Sequence, residues 1–197
     1  MQRNVFMHLS ICFSLLFFAL NAATSIAVDV DWDKLFSGDI EVSPVSYPEG
    51  IPGLKLLMTV DCSREQIWKT LTDYENFRDV FKGINKLRVL KEDTKGAYVE
   101  FWIDAVVANY HYVLYRHYEK PLERLTWKRV SGDLQRIEGS WEIRDTPRPK
   151  TKLLIYHSYV QANNAIPKSL LRWGAMNRAR AMGKRLRRML EASASED

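Results

Sequence analysis

The sequence predicts an α+β domain in which a curved antiparallel sheet of about six to seven strands wraps around one long C-terminal helix. The last part of the chain, residues 166–192, carries apolar side chains at helical spacing, whereas most segments before it alternate between apolar and polar residues. Short turns containing Gly, Pro, Asn or Asp separate those segments. Strands connected in this way pair as an antiparallel meander, which offers one apolar face for a helix to cover.

The first 27 residues have the pattern of a secretory signal. Arg3 gives a basic start, residues 5–20 are mostly apolar, and Ser25-Ile26-Ala27 has the small-x-small pattern of a cleavage site. The apolar run is shorter than the ~20 residues of a spanning helix. We therefore expect cleavage after Ala27 and export to the periplasm or out of the cell, with an uncleaved membrane anchor as the alternative.

The rest of the chain, roughly 170 residues, has the size of one domain. We expect an N-terminal extension over residues 28–53, a ligand-binding domain over 54–192 and a tail over 193–197. The extension is predicted to be a loop or an edge strand. After the signal the only cysteine is Cys62, so no internal disulfide is expected.

The domain is predicted to open with a strand over residues 54–60, followed by two short helices. Ser63 and Gln66 stand in the register of a capping box, which predicts the start of the first helix. A second short helix, from about residue 75 to 81, is expected to end at Gly83, because glycine suits the left-handed position after a helix.

Six further strands are expected from their period of two. They cover residues 86–91, 97–107, 110–118, 125–130, 134–144 and 152–160. In the fifth of these, Gly139 shares a face with Trp141. Because glycine has no side chain, we expect free space on the inner face of the sheet at this point.

The long helix has one apolar and one basic side. Pro167 suits its first turn, where the missing N–H costs nothing. The apolar stripe is formed by Leu171, Ala175, Ala179, Met182, Leu186 and Met189. The basic side carries Lys168, Arg172, Arg178, Arg180, Lys184, Arg185, Arg187 and Arg188. Such a helix, roughly 35–40 Å long, needs a large apolar surface to lie on.

The net charge of +5 at pH 7 comes mostly from this helix. A solvated helix face explains the charge, and contact of Arg185, Arg187 and Arg188 with an anionic membrane surface is the functional alternative. Nucleic acid is not an expected partner, because exported proteins rarely meet it.

Neither a metal site nor a cofactor is expected. His111 and His117 share a strand face but lie roughly 20 Å apart, and Cys62 is isolated, so no cluster has ligand spacing. The sequence contains no G-x-S-x-G elbow, no G-x-G-x-x-G motif and no P-loop. General acid–base catalysis is the enzymatic alternative that remains, with Asp104, His111 and His157 as candidates, although strand alternation places polar groups outside by default.

Four segments carry a resemblance to a known superfamily. They are SREQIWKTLTDYENFRDVFKGINKLRVL, GDLQRIEGSWEI, TKLLIYHSYVQAN and IPKSLLRWGAMNRARAMGKRLRRMLEA. They resemble the START-like, helix-grip (SRPBCC) superfamily of polyketide cyclases, dehydratases and lipid-binding proteins, and within it the branch named for coenzyme-Q-binding and cyclase/dehydratase proteins. The resemblance runs from about Leu54 to Glu191. It implies a hydrophobic ligand held in a tunnel between the sheet and the long helix.

One strand departs from the pattern of the superfamily. The final strand of relatives usually opens with Thr, an apolar residue and Tyr at alternating positions, whereas Thr151 and Tyr156 stand five residues apart here. Without a bulge these two side chains face opposite sides of the sheet. The sequence therefore leaves open which face of this strand points inward.

If the domain has such a tunnel, the expected ligand contacts are large apolar residues on the inward-facing sides of the strands and helices. These are Phe77, Phe81, Phe101, Trp127, Trp141, Leu170 and Trp173. The alternative is that they fill a solid core, where each large side chain stabilises the fold by about 1.5–3 kcal/mol. We expect a monomer that binds a lipid, a quinone or a polyketide-like compound without turning it over. A cyclase/dehydratase-type enzyme and a protein-interaction module are the alternatives.

Overall fold

The computed structural model describes residues 30–47, 50–104, 109–161 and 168–194, with the side chains of the last range from residue 174 onward. From Asp31 onward the chain clusters as one unit. The predicted signal sequence with its cleavage site and the first-turn proline lie outside the described residues.

The described part of the chain contains four helices and eight strands. The helices are α1 (Trp32–Phe36), α2 (Arg64–Thr72), α3 (Phe77–Val80) and α4 (Lys168–Ala194). The strands are β1 (Glu41–Ser46), β2 (Pro52–Val60), β3 (Ile84–Asp93), β4 (Gly96–Asp104), β5 (Asn109–Lys120), β6 (Arg124–Gly132), β7 (Arg136–Asp145) and β8 (Lys152–Gln161).

All eight strands form one antiparallel sheet in the order β1-β2-β8-β7-β6-β5-β4-β3. Strands β3 to β8 are a meander, in which each strand pairs with the next one along the chain. The connection from β2 to β3 contains α2 and α3 and crosses from one side of the sheet to the other. The predicted α+β class, with two short helices after an early strand and a long C-terminal helix, is confirmed.

The predicted number of strands, six to seven, is wrong, because β1 is an eighth strand. It pairs with β2 from Glu41 opposite Leu57 to Ser46 opposite Pro52 and forms one edge of the sheet. Its sequence EVSPVS gives a weak strand signal, since Pro44 cannot donate a hydrogen bond within a sheet. An edge position tolerates the proline, because one side of an edge strand needs no partner.

The start of α2 agrees with the predicted capping box. The Ser63 hydroxyl accepts a hydrogen bond from the backbone of Gln66 at 3.1 Å, and the Ser63 backbone donates to the Gln66 side chain at 2.9 Å. Helix α3 is shorter than expected. Asp73 accepts hydrogen bonds from the backbone and side chain of Asn76, which makes a turn between the helices where the sequence predicted more helix. Gly83 has the expected positive φ, +94°.

Helix α4 lies over β1 and β2 and also contacts α2 and α3. Its buried side chains in the main apolar cluster are Ala179, Met182, Leu186 and Leu190. Their sheet partners in this cluster include Leu56, Met58, Trp141 and Leu154. A second cluster, beneath α3, contains Phe77, Phe101 and Leu114. Among the described residues, no helix combines the length and the hydropathy needed to cross a bilayer.

Two arginines join α4 to the rest of the domain. Arg185 donates from Nε to the carbonyl oxygen of Val80 at 2.9 Å. Arg187 donates from Nε to the carbonyl of Thr59 at 3.1 Å and from its two terminal nitrogens to the carbonyls of Gly38 and Asp39. Part of the basic side of α4 therefore acts as an internal connection rather than as a solvated face.

The structure shows which face of β8 points inward. Tyr156, Ser158 and Val160 line the space beneath α4. Thr151 is buried elsewhere, and its hydroxyl donates to the carboxylate of Asp61 at 2.6 Å. From Leu154 to Val160, the even-numbered residues of β8 face inward.

Candidate ligand-binding cavity

A cavity of about 530 Å³ lies between the concave face of the sheet and helices α3 and α4. Every strand from β2 to β8 contributes at least one side chain to its lining. Five of the predicted ligand contacts line it: Phe77, Phe81, Phe101, Trp127 and Trp141. The other two, Leu170 and Trp173, have side chains outside the described part of the chain. Contact of these residues with a ligand stays a prediction.

Two aromatic groups form the walls of the cavity. On the α3 side, the rings of Phe77 and Phe81 stack with centroids 4.1 Å apart, and Phe101 lies 6.1 Å from Phe77. On the opposite side, Tyr156 contacts Trp141 at 4.6 Å and Trp127 at 5.5 Å. Contacts between these rings hold them in fixed positions, so the cavity has a preformed wall.

The free space expected at Gly139 is absent. A β-carbon at this position would overlap the indole of Trp127 and the carbonyl oxygen of His157. The missing side chain therefore makes room for a neighbouring tryptophan, which lies on β6 opposite Gly139. The indole of Trp127 is in turn part of the cavity lining.

Polar groups also reach the cavity, and sequence reasoning missed them. Arg116, Tyr112, Tyr156 and Ser158 are among the lining residues. On β5, Tyr112 and Arg116 each stand two residues from the buried Leu114, so all three lie on the same face of the strand. This shared parity was the available signal, but the aromatic residues on both faces of β5 obscured it. Burial raises the pKa of Tyr112 and of Tyr156, so both phenols keep their protons at neutral pH.

The three acid–base candidates lie on the other face of the sheet. His111 contacts Glu100 through Nε2 at 2.8 Å and stacks on Trp102 at 4.9 Å. Asp104 is exposed and shares the outward parity of Glu100 and Trp102 on β4. His157 is half-buried, and burial lowers its pKa. None of these candidates lines the cavity.

The cysteine in the described part of the chain is not activated as a nucleophile. Cys62 is buried, and burial raises the pKa of its thiol to about 12, so it carries a thiol rather than a nucleophilic thiolate at neutral pH. Within the described ranges, no group of three or more His, Cys, Asp or Glu side chains could hold a metal ion.

Positive charge surrounds the cavity. Lys82 and Arg178 line it together with Arg116 and Arg185, whereas no carboxylate belongs to its described lining. Of the three arginines predicted to contact a membrane, Arg185 and Arg187 are half-buried and bind backbone carbonyls, and Arg188 is exposed. Membrane contact by these residues stays a prediction.

An antiparallel sheet that closes on a long C-terminal helix around an apolar cavity defines a ligand-binding domain of the helix-grip class. Residues 60–187 match the family model described as polyketide cyclase / dehydrase and lipid transport. The chain therefore belongs to this family, which lies within the START-like superfamily. No curated protein matches the sequence significantly.

Three solved structures illustrate the likeness. A START superfamily protein from Mycobacterium smegmatis gives a TM-score of 0.62 at 16% identity, with 71% of this chain and 97% of that chain covered. A STAR-related lipid transfer protein from Xanthomonas axonopodis gives 0.64 at 17% identity, covering 83% and 96%. The Zhui aromatase/cyclase from Streptomyces sp. R1128 gives 0.56 at 14% identity, covering 78% and 98%. At these identities the likeness shows the fold alone.

Proposed function

We propose that this protein binds a hydrophobic small molecule, such as a lipid, a quinone or a polyketide-like compound, and carries it without turning it over. One observation carries the proposal, namely the cavity of about 530 Å³ between the sheet and α4. Its volume lies within the ~300–1,000 Å³ of ligand sites, and its walls are mainly aromatic and aliphatic, as such sites require. Burying an apolar ligand there contributes roughly 25 cal/mol per Å² of surface removed from water.

Binding without turnover is supported by the position of the acid–base candidates. Asp104, His111 and His157 are separated from the cavity by the sheet itself. A cyclase or dehydratase needs a proton donor or acceptor within hydrogen-bond reach of its substrate. The polar side chains in the described lining are four cations, two protonated phenols and a serine hydroxyl, which suit recognition of a ligand.

The ligand-binding proposal is tested with a neutral fluorophore, N-phenylnaphthylamine, titrated into the purified protein. We expect saturable binding with one site per chain. The variant Ala179→Phe places a ring at a cavity-lining position and should weaken binding at least about fivefold. Ala192→Phe, on the exposed last turn of α4, is the matched control and should bind like the wild type. Absence of saturable binding to the folded wild-type protein would contradict the proposal.

We further propose that the chain is exported, with cleavage after Ala27, and that it meets its ligand at an anionic membrane. The sequence pattern of residues 1–27 supports export, and the exposed cations Lys184 and Arg188 on α4 support the membrane encounter. Intact mass of the protein recovered from the producing cell tests the cleavage site. A species that retains residues 1–27 would contradict it.

Vesicle binding tests the membrane part separately. The double variant Lys184→Glu/Arg188→Glu should bind phosphatidylglycerol vesicles more weakly than the wild type, because a near-surface cation contributes about 1 kcal/mol on an anionic leaflet. Lys69→Glu/Lys128→Glu changes the net charge equally at exposed positions on other elements and serves as the control. Equal loss in both double variants would show that net charge, rather than this face of α4, governs the encounter.

A further inference from the structure

Arg116 is a buried cation without a direct ion-pair partner among the described residues. Its side chain projects from β5 into the cavity lining, and the residue is only 3% exposed. Nη2 donates to the carbonyl oxygen of Leu71 at 3.0 Å, but Nε is buried and has no hydrogen-bond partner. Within the described part of the chain, no carboxylate forms an ion pair with Arg116. A buried charge is expensive unless it is paired and its donors are satisfied.

The surroundings of Arg116 hold its guanidinium in place, and Glu92 on β3 acts on it electrostatically without forming an ion pair with it. Leu71 belongs to the last turn of α2, where the helix dipole favours a cation. The rings of Phe77 and Tyr74 lie 4.7 Å and 5.2 Å from the guanidinium carbon, which is cation–π distance. These contacts hold the guanidinium of Arg116 in a fixed position. They leave its Nε donor without an acceptor and its positive charge without a paired anion.

The other charges around the cavity have the same sign. All four charged residues in its described lining are cationic: Lys82, Arg116, Arg178 and Arg185. A cleft lined by one sign of charge within low-dielectric walls attracts and concentrates ions of the opposite sign. The cavity as a whole therefore favours a guest that carries negative charge.

A neutral donor lies near Arg116, and two others belong to the same cavity lining. Tyr156 lines the cavity and is close enough to Arg116 for the two groups to interact electrostatically. Tyr112 and Ser158 add two more hydroxyl groups to the same lining. A guanidinium fork together with protonated hydroxyls is a good set of partners for the two oxygens of a carboxylate.

We propose that the natural guest is a single-chain amphiphilic anion whose carboxylate pairs with Arg116 while its apolar body lies against the aromatic walls. This inference rests on the proposed function and names the ligand class for the same cavity. A guest with one apolar chain or ring system suits the volume of about 530 Å³, which is in the middle of the range for small-molecule sites. An alkyl phosphate presents similar oxygens, so the test separates the two kinds of anion.

The test is displacement of bound N-phenylnaphthylamine from the full-length protein by palmitate, methyl palmitate, hexadecanol and hexadecyl phosphate, each below its aggregation limit. In the wild type, palmitate should displace the probe at about a ten- to hundredfold lower concentration than methyl palmitate. The reason is that a hydrogen bond to a charged group contributes more to binding than one between neutral groups.

In Arg116→Met this preference for palmitate should disappear, with methyl palmitate unaffected or bound more tightly. Arg116→Lys should retain part of it. Lys128→Met, which removes an exposed charge elsewhere on the sheet, should behave like the wild type.

The outcomes separate this inference from the proposed function. If the neutral probe binds but palmitate and methyl palmitate displace it equally, the anion inference fails and ligand binding stands. If no probe binds, the proposed function fails first. A preference for hexadecyl phosphate over palmitate would overturn the carboxylate assignment. Should Arg116→Met not fold, the ratio of palmitate to methyl palmitate in Arg116→Lys, compared with the wild type, decides, because three other cations also line the cavity. An unchanged ratio in Arg116→Lys would then overturn the pairing with Arg116.

Discussion

The indole of Trp127 lies across Gly139 on the neighbouring strand, in the space where any other residue would place its β-carbon. The two residues pair directly, Trp127 on β6 and Gly139 on β7, and the indole reaches the cavity from there. The glycine thus sets the position of one cavity wall.

The first prediction concerns this pair. Gly139→Ala should lower the free energy of unfolding by about 1–3 kcal/mol, the usual cost of overpacking, because the new methyl group displaces the indole or the adjacent backbone. The displaced Trp127 should also intrude on the cavity and weaken binding of the neutral fluorophore. Urea unfolding and the fluorophore titration measure the two effects.

Gly174→Ala is the control for this substitution. A β-carbon at Gly174 on α4 would meet nothing within 4 Å. Alanine in a helix interior stabilises by roughly 0.5–1 kcal/mol relative to glycine, so the two variants should shift stability in opposite directions. Two shifts of the same sign and size would contradict the role assigned to Gly139.

The second prediction compares neighbouring arginines on α4. Arg187 donates to carbonyls of Gly38, Asp39 and Thr59, whereas Arg188 is exposed. Arg187→Met should cost about 1–3 kcal/mol of stability, because three backbone carbonyls lose a charged donor and one of them belongs to the buried Thr59. Arg188→Met should change stability by no more than about 0.5 kcal/mol. Chemical denaturation of both variants checks this, and equal losses would show that the connection between α4 and the N-terminal segment contributes little.

The third prediction concerns acid. Burial lowers the pKa of His157 below its ordinary value of 6.5, an effect that the nearby Glu142 opposes. Above pH 6.5 both the folded and the unfolded chain hold a neutral imidazole, so His157 does not change stability with pH there. As the pH falls below 6.5 the unfolded chain takes up a proton that the folded chain resists, and stability falls until the pH reaches the lowered folded pKa.

His157→Gln should therefore reduce the loss of stability between about pH 7.5 and about pH 5.5, because glutamine has no proton to take up in this window. Urea midpoints of the wild type and the variant at both pH values provide the measurement. A loss of the same size in both proteins would mean that burial of His157 has no energetic consequence.

The fourth prediction concerns the buried thiol. Because burial raises the pKa of Cys62 to about 12, the folded protein should resist alkylation by iodoacetamide near pH 8, and should react rapidly once urea unfolds it. Mass spectrometry counts the added groups over time. Rapid modification of the folded protein would show that this end of β2 opens readily.

Much of the fold was predictable because its signals are local. The capping box of Ser63 and Gln66 marks the start of α2, and the alternation around Phe101 and Trp141 identifies the inner face of the sheet. For β1 the sequence allows either a loop or an edge strand, because the segment is short and contains Pro44. Its strand conformation depends on pairing with β2. Pairing across the sheet is not encoded in any one segment.

The site was predictable in its apolar part only. Phe77, Trp127 and Trp141 face the cavity because strand and helix periodicity place them there. Arg116 was missed, since the default rule assigns a charged side chain to solvent and the aromatic residues on both faces of β5 obscure which of its faces points inward. Arg187 illustrates the same limit on α4: its partners are backbone carbonyls far away in sequence, which no helical pattern can reveal.

The central claim is that the space between the sheet and α4 holds a guest. Native mass spectrometry of the protein, purified without detergent from cells that express the full chain, tests it most directly. We predict a complex heavier than the chain by one small hydrophobic molecule, which is released on denaturation, is extractable into organic solvent and is absent from Ala179→Phe. A chain that shows only its own mass, and that also fails to take up added N-phenylnaphthylamine, would contradict the account.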